Sequence, residues 1–265
     1  MIMGYIIFVF GLIIGSFLNV CIFRIPQGKS VVSPPSSCTH CGTRLKAFDL
    51  IPLLSYLVCS GKCRYCHQKI SPRYFLVELL TGMVSVTLFT KYGLTVDFGA
   101  FLFLMYLLIG VFFIDLEHQI IPNGLVIVGM IGGIILFFYN LFRPFIIYSD
   151  TSWWNPLLGM VSGSGFLLTV AFIGSLLYKN EEVMGMGDVK LFAPIGLFLG
   201  WRMTLLALFI SVVLGGMTSL LLIVLGKATR KSAIPFGPFI VIGVFVTLMW
   251  GWDIAHWYLN TYWYY

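Results

Sequence analysis

Two aspartates in this sequence lie where an apolar segment meets a polar one. Asp115 follows the apolar run 98–114, and Asp188 lies in the segment Met184-Gly185-Met186-Gly187-Asp188-Val189-Lys190. Two carboxyl groups that lie close together in a partly dry site do not easily both ionise, so one keeps its proton while the other activates water. A pair of this kind supplies the general acid and base that an aspartic protease needs for peptide hydrolysis.

The residues around Asp188 predict a tight turn, because glycine lets the backbone approach another helix or an extended substrate closely. We expect Gly185 and Gly187 to support the site in this way. Lys190 is expected to pair with a nearby carboxylate or to orient the loop. A simpler interpretation stays open, in which each aspartate is a solvated or helix-capping residue at a helix end.

Four cysteines form two C-x-x-C pairs, Cys38 with Cys41 and Cys63 with Cys66, at a separation typical of a four-thiolate zinc site. Four thiolates bind tetrahedral Zn²⁺ at about 2.3 Å, and the metal can order a loop that is too small to have a core. A closed site of this kind has no open coordination position, so we assign it a structural role and not a catalytic one. The other possible ligands nearby, Cys59, His40 and His67, are expected to be bystanders. Cys21 is expected to be a small apolar residue inside the first span.

The elements that hold these residues are predicted to be membrane helices. The 265 residues are 59% hydrophobic and 10% charged, whereas a soluble domain has about 25% charged residues. Apolar runs near the roughly 20 residues that cross a bilayer recur along the chain, which predicts an all-α polytopic membrane protein. About eight spans are expected, at 5–23, 75–90, 98–114, 122–142, 156–178, 191–201, 203–225 and 236–258. The sixth run is short, so we expect it to be tilted, broken or extended towards Asp188.

The distribution of Lys and Arg predicts the orientation of these spans. The loops 24–74, 115–121, 179–190 and 226–235 hold 13 of the 16 Lys and Arg residues, so the positive-inside rule places them in the cytoplasm. The same asymmetry explains the formal charge of +6 through contact with the bilayer, and no nucleic-acid partner is expected. The loop 24–74, here called the insert, carries the four paired cysteines. Disulfides are the alternative to a metal there, and the reducing cytoplasm disfavours them.

We divide the chain into an N-terminal region, 1–95, that contains the first two spans and the insert, and a transmembrane peptidase core, 96–265.

One further acid lies inside a predicted span. Glu78 is four residues into the second span, and a carboxylate at that depth suggests a partner such as Arg73 or Arg24, or a contact with substrate.

Several motifs along the chain match one protein family. They are Gly15-Ser16-Phe17-Leu18-Asn19-Val20, Arg24-Ile25-Pro26, both cysteine pairs, Ile51-Pro52-Leu53-Leu54-Ser55-Tyr56, Ser71-Pro72-Arg73-Tyr74 with Glu78, Asp115-Leu116-Glu117-His118 with Pro122, the segment 184–190, and Pro235-Phe236-Gly237-Pro238. On these residues the sequence resembles the prepilin peptidases, or type IV leader peptidases, of the Gly-x-Gly-Asp intramembrane aspartic proteases. Presenilin-like proteases share Gly-x-Gly-Asp but usually have Tyr before the first aspartate. Ile114 stands there in this chain, which favours the prepilin branch.

The resemblance implies that Asp115 and Asp188 are the catalytic pair. The implied substrates are precursor pilins, and pseudopilins of type II secretion or DNA uptake, which are cleaved after a glycine between a basic leader and a hydrophobic helix. The implied place is the cytoplasmic face of a bacterial inner membrane. Many members of the family also methylate the new N-terminus with S-adenosylmethionine. That activity rests here on the resemblance alone, because the sequence has no glycine-rich cofactor fingerprint.

Two other functions stay open at this point. An intramembrane serine protease would use Ser164, within Gly163-Ser164-Gly165, together with His256, but the predicted orientation puts both towards the outer side, and no partner orients the base. A transporter or assembly subunit would use the aspartates as proton or ion sites, although no two matching halves with paired broken segments are visible. The sequence does not indicate an oligomeric state.

Overall fold

The structure is a computed structural model that describes residues 2–143, 145–148, 150, 152–177, 185–227, 229 and 234–262. The predicted all-α fold is confirmed, since the described residues form no β-strand and only two isolated β-bridges. The helices are α1 (Ile2–Arg24), α2 (Leu54–Val58), α3 (Arg73–Tyr92), α4 (Val96–His118), α5 (Asn123–Asn140), α6 (Asn155–Leu177), α7 (Met186–Val224) and α8 (Gly237–Tyr262). Short 3-10 turns lie at Ile25–Gln27, Ala47–Leu50 and Ile146–Tyr148.

Seven of these helices, all except α2, are long and apolar enough to cross a membrane. The predicted spans 191–201 and 203–225 both fall within α7, which has 39 residues. A continuous helix of that length would extend about 58 Å, nearly twice the roughly 30 Å of a hydrocarbon core. The helix is in fact broken at Gly200, where φ is 70° and ψ is 170°. The expectation that the sixth span is broken and extended towards Asp188 is therefore confirmed.

Neighbouring polar side chains stabilise the break in α7. In a continuous helix the N–H of Trp201 would donate to the carbonyl of Leu197. Instead, Asn155 Oδ1 accepts the Trp201 N–H at 3.1 Å, and the Tyr148 hydroxyl donates to the Leu197 carbonyl at 2.6 Å. Both groups that the break releases thus regain a partner, which is the condition for non-helical backbone at membrane depth.

The helices group into two compact units, Met1–Ile114 and Asp115–Tyr265. In the first unit, α1 packs on α3 through small residues. A Cβ added to Gly11 would lie 2.9 Å from the Cα of Gly82, and one added to Gly15 would lie 2.7 Å from the Cα of Glu78. Gly11 and Gly15 therefore serve helix packing, because only glycine lets the two backbones approach so closely.

In the second unit, α7 packs against α5, α6 and α8. Gly159 of α6 lies against the carbonyl of Gly196 in α7, so a Cβ at Gly159 would strike backbone that has no freedom to move aside. A Cβ at Gly163 would meet the side chains of Thr204 and Phe192. Both α6 glycines therefore allow close packing of α6 on α7, and the Ser164 hydroxyl holds α6 to the Val189 carbonyl in the first turns of α7, which carry Asp188.

Candidate functional site

Asp115 lies in the last turn of α4, at the end of an apolar and largely buried helix. It is only 5% exposed. Its Oδ2 accepts the backbone N–H of Gly237, the first residue of α8, at 2.8 Å. Asp115 is therefore not a solvated residue at a helix end, because its carboxyl group is held inside the second unit by the start of another helix.

Asp188 lies in the first turn of α7. Gly185 is the N-cap residue, with φ −66° and ψ 123°, and Asp188 is the third residue of the helix itself. The Asp188 N–H donates to the Gly185 carbonyl at 3.1 Å, and no side chain caps the helix. The interpretation of Asp188 as a helix-capping residue is therefore wrong, because Gly185 is the N-cap and the Asp188 side chain makes no capping hydrogen bond. Its half-buried carboxyl group is available for another role.

The fold brings the two carboxyl groups together although they are far apart in the sequence. Both lie in the second unit, and a Cβ at Gly187, the residue before Asp188, would lie 3.0 Å from Ile121, six residues after Asp115. Three helix ends meet at this point: the last turn of α4 and the first turns of α7 and α8. Two carboxyl groups so placed favour a state with one shared proton, which is the arrangement required for general acid–base catalysis.

The predicted supporting residues lie around this pair with roles that differ in part from those expected. Gly187 does not have a positive φ. A Cβ at this position would lie 3.0 Å from the Cβ of Ile121, so close approach and not turn geometry explains the glycine. Lys190 is exposed, and its Nζ lies 3.4 Å from Asn123 Oδ1. It thus contacts the start of α5 and not one of the two aspartates.

Sequence reasoning missed Gly237 as a site residue. The signal that could have found it is the motif Pro235-Phe236-Gly237-Pro238, which places a glycine between two prolines just before an apolar run. The contact itself joins residues 122 positions apart. No local pattern in a single sequence shows which side chain such a glycine would face.

In the insert, the four paired cysteines come together as predicted. The sulfur atoms of Cys38, Cys41, Cys63 and Cys66 all lie within 4.8 Å of one another. Among the described residues the cysteines form no disulfide, and no other Cys or His joins the cluster. The set can hold one metal ion, and thiolate donors in a tetrahedral arrangement suit Zn²⁺ or an iron–sulfur centre.

Each cysteine pair lies on a turn with the same hydrogen-bond pattern. The Gly42 N–H donates to the Cys38 carbonyl at 3.0 Å, and the His67 N–H donates to the Cys63 carbonyl at 2.9 Å. Both donor residues have positive φ, 70° for Gly42 and 57° for His67. The repeated turn aims the two thiols of each pair at a common point, which explains how distant segments build one cluster.

The surroundings of the cluster favour the thiolate form that metal ligands require at two of its members, Cys41 and Cys63. At Cys66 a backbone hydrogen bond also favours the thiolate, but burial and the neighbouring thiols outweigh it and raise the pKa of Cys66 to about 11. The hydroxyl and then the backbone of Thr43 hydrogen-bond Cys41 and lower its pKa to about 6. The backbone N–H groups of Cys66 and Tyr65 lower the pKa of Cys63. The donors that prepare the site are thus mostly backbone groups of the two turns.

Asp49 ties the second cysteine turn to the rest of the insert. Its carboxylate accepts the Tyr65 hydroxyl at 2.9 Å and the Lys46 N–H at 3.0 Å, and it forms an ion pair with Arg64 Nε at 3.0 Å. Burial opposes its ionisation, but these donors outweigh that effect and hold the pKa of Asp49 below its usual value. Asp49 therefore serves as an ionised link inside the insert.

Glu78 is buried, with 8% of its surface exposed. Its Oε2 accepts the backbone N–H of Leu53 at 2.8 Å. The described part of the chain contains no ion pair from Glu78 to Arg73 or Arg24. The partner is instead an insert residue whose φ of 57° is uncommon for leucine, so Glu78 supports that turn.

The residues of the serine protease alternative do not form a catalytic site. Ser164 donates its hydroxyl to the carbonyl of Val189 at 2.9 Å. The ring of His256 contacts Trp252. Ser164 therefore holds α6 to the first turn of α7, beside Asp188, which is a structural task.

The fold and the site together define a multi-pass membrane protein with a buried carboxyl pair at helix ends and a cysteine cluster in its main loop. Residues 9–92 match the family model described as the bacterial peptidase A24 N-terminal domain, and residues 102–220 match the type IV leader peptidase family.

Three proteins named prepilin leader peptidase/N-methyltransferase are similar to the chain over nearly its full length. The protein of Aeromonas hydrophila is 34% identical, covering 97% of this chain and 94% of its own. Those of Pseudomonas aeruginosa and Bacillus subtilis are each 33% identical, covering 94% and 96% of this chain and 91% and 97% of their own. No solved structure matches. The chain belongs to the type IV leader peptidase family.

Proposed function

We propose that this protein is a prepilin leader peptidase that removes the basic leader of precursor pilins and pseudopilins and then N-methylates the new N-terminus. The observation that carries the proposal is the position of Asp115 and Asp188 at opposite ends of two helices within one compact unit, where the start of α8 holds the buried carboxyl group of Asp115. A carboxyl pair with one member only 5% exposed is expensive at membrane depth unless it serves a function.

In the proposed reaction, one carboxylate takes a proton from a water molecule as that water attacks the scissile carbonyl. The other carboxyl group gives its proton to the carbonyl oxygen. The resulting diol collapses when the first carboxyl group gives its proton to the leaving nitrogen, the C–N bond breaks, and the second carboxylate takes back a proton from a diol hydroxyl as the C=O bond re-forms. General acid–base steps of this kind contribute about 10²–10⁴-fold each. An amide at either position can perform neither step.

The proposed location is a bacterial inner membrane, with the aspartates on the cytoplasmic side. Lys and Arg residues concentrate in the insert and in the loops 179–190 and 226–235, which supports this orientation through the positive-inside rule. A precursor pilin would lie in the same membrane with its basic leader in the cytoplasm, so its cleavage site would reach the depth of the carboxyl pair.

The proposed methyl transfer follows the names of the relatives, and S-adenosylmethionine would supply the methyl group. We also propose that the chain divides functionally at residues 1–95 and 96–265. The two family matches, which end at residue 92 and begin at residue 102, support this division. The peptidase would then depend on the second region, and the first would carry what methyl transfer requires.

For the cysteine cluster we propose structural Zn²⁺ bound by Cys38, Cys41, Cys63 and Cys66. The sulfur atoms are close enough to share one ion, and the lowered pKa values of Cys41 and Cys63 favour thiolate ligands. Structural zinc sites are four-coordinate and closed, which fits a set of four donors. The proposed cytoplasmic location disfavours disulfides as the resting state of these thiols.

The decisive experiment is the incubation of purified, reconstituted protein with a precursor pilin, with and without S-adenosylmethionine. We expect a product that has lost its leader in both reactions and that is one methyl group heavier only when the methyl donor is present. N-terminal mass spectrometry reads out both steps. Proton or ion uptake into the vesicles without any proteolysis would instead support a transporter.

A further inference from the structure

Gly237, the first residue of α8, is in direct contact with the carboxyl group of Asp115. Its N–H donates to Asp115 Oδ2 at 2.8 Å. A Cβ at residue 237 would lie 2.7 Å from Oδ2, 3.0 Å from Cγ and 3.1 Å from Cβ of Asp115. Contacts of this length leave no room for any side chain, so the position must be glycine for the carboxyl group to keep its place.

At the start of α8, the backbone N–H of Gly237 is the donor that remains available to Asp115. The first N–H groups of a helix have no partner within the helix. Pro238 has no N–H, and the N–H groups of Phe239 and Ile240 both donate to the carbonyl of Phe236. Gly237 therefore presents its N–H at the positive end of the α8 dipole, which favours a negatively charged acceptor.

The two aspartates differ sharply in this respect. Asp115 has a backbone donor that cannot rotate away, whereas no donor to the Asp188 carboxyl group is found within the described ranges. A hydrogen bond donated to a carboxylate stabilises its charged form. Of two carboxyl groups that share one proton, the group with the donor is the better anion.

We propose that the Gly237 N–H is a positioning group that makes Asp115 the base and Asp188 the acid of the pair, an inference that rests on the proposed peptidase function. With Oδ2 held by Gly237, Asp115 takes the water proton on Oδ1. Asp188 donates its proton to the scissile carbonyl oxygen and regains one when the diol collapses. The proton on Asp115 then leaves with the amine, so both groups return to their starting states.

Two alanine variants in α8 test the positioning role. A Cβ at Gly251 would also lie 2.7 Å from its nearest atom, the sulfur of Met203, so Gly251→Ala adds a comparable contact in the same helix away from the site. We expect Gly237→Ala to lower kcat at least tenfold with KM unchanged, since a misplaced catalytic group costs up to about 100-fold. Gly251→Ala should keep kcat and KM near the parent values. The thermal midpoints of the two variants should be similar. Equal kcat values for the two variants would overturn the inference.

The result is separable from the proposed function itself. If Asp115→Asn and Asp188→Asn both abolish cleavage while Gly237→Ala keeps the parent kcat, the pair is catalytic and only the positioning role fails. If Gly237→Ala does not fold, infrared difference spectra of the parent decide the matter. The band of a protonated carboxyl group should disappear in Asp188→Asn, and its loss in Asp115→Asn but not in Asp188→Asn would reverse the assignment.

Discussion

Replacing Asp115 by asparagine separates the catalytic role of this side chain from its structural contact with α8. The Oδ1 of asparagine can still accept the Gly237 N–H that Asp115 now accepts at 2.8 Å. Hydrogen bonds to charged groups contribute about 1.5–3 kcal/mol and neutral ones about 0.5–1.5 kcal/mol. We therefore expect Asp115→Asn to lower the free energy of unfolding by only about 1 kcal/mol.

The expected effect on cleavage is much larger. Loss of the base should slow turnover by about 10²–10⁴-fold, which corresponds to about 3–5 kcal/mol in the activation barrier. Cleavage of a precursor pilin by the reconstituted protein measures this effect, and a thermal midpoint in the same detergent measures stability. Glu117→Gln is the matched control, because it makes the same chemical change at an exposed position of the same helix turn. Turnover above a few per cent of the parent value in Asp115→Asn, or in Asp188→Asn, would refute the carboxyl pair.

Three further outcomes are expected. Gly187→Ala should lower the cleavage rate several-fold because its Cβ would lie 3.0 Å from a side chain, whereas Gly124→Ala, which meets nothing within 4 Å, should keep the parent rate. Cys63→Ser should remove about one Zn²⁺ per chain by elemental analysis, increase proteolysis of the insert, and impair methyl transfer more than cleavage, while Cys59→Ser should do none of these. Asp49 has a lowered folded-state pKa, so its stabilising effect is full above its unfolded pKa of about 3.9 and is lost as the pH falls through the lower folded value. Proteolysis of the insert by an acid-active protease should show this loss in the parent and not in Asp49→Asn.

Local spacing made the insert predictable. Two sulfur atoms on one C-x-x-C turn converge whatever the rest of the chain does, and a second copy of the turn supplies the other two ligands. The structure confirms the cluster, with all four sulfur atoms within 4.8 Å. Hydropathy made the long helices predictable for a similar reason, since each span must satisfy its own backbone hydrogen bonds.

Contacts between distant segments were not predictable in the same way. The break at Gly200 needs Asn155 and Tyr148 to accept and donate the hydrogen bonds that α7 gives up. Nothing in the spacing of these residues marks them as partners. Gly159 is a second example. Its spacing from Gly163 suggests that it packs against another helix, but the sequence does not show which one. Only the contact with the Gly196 carbonyl shows that alanine at residue 159 would disrupt the packing of α6 on α7.

The helix ends explain why a pair of acids can exist at this depth. Asp188 is in the first turn of α7, and no donor to its carboxyl group is found among the described residues, so it can keep the shared proton. Asp115 is in the last turn of α4, where the dipole of that helix disfavours a negative charge. The N-terminus of α8 compensates for this through Gly237. The buried anion is thus stabilised by a helix that does not carry it, and a change at the start of α8 should impair catalysis although it alters neither aspartate.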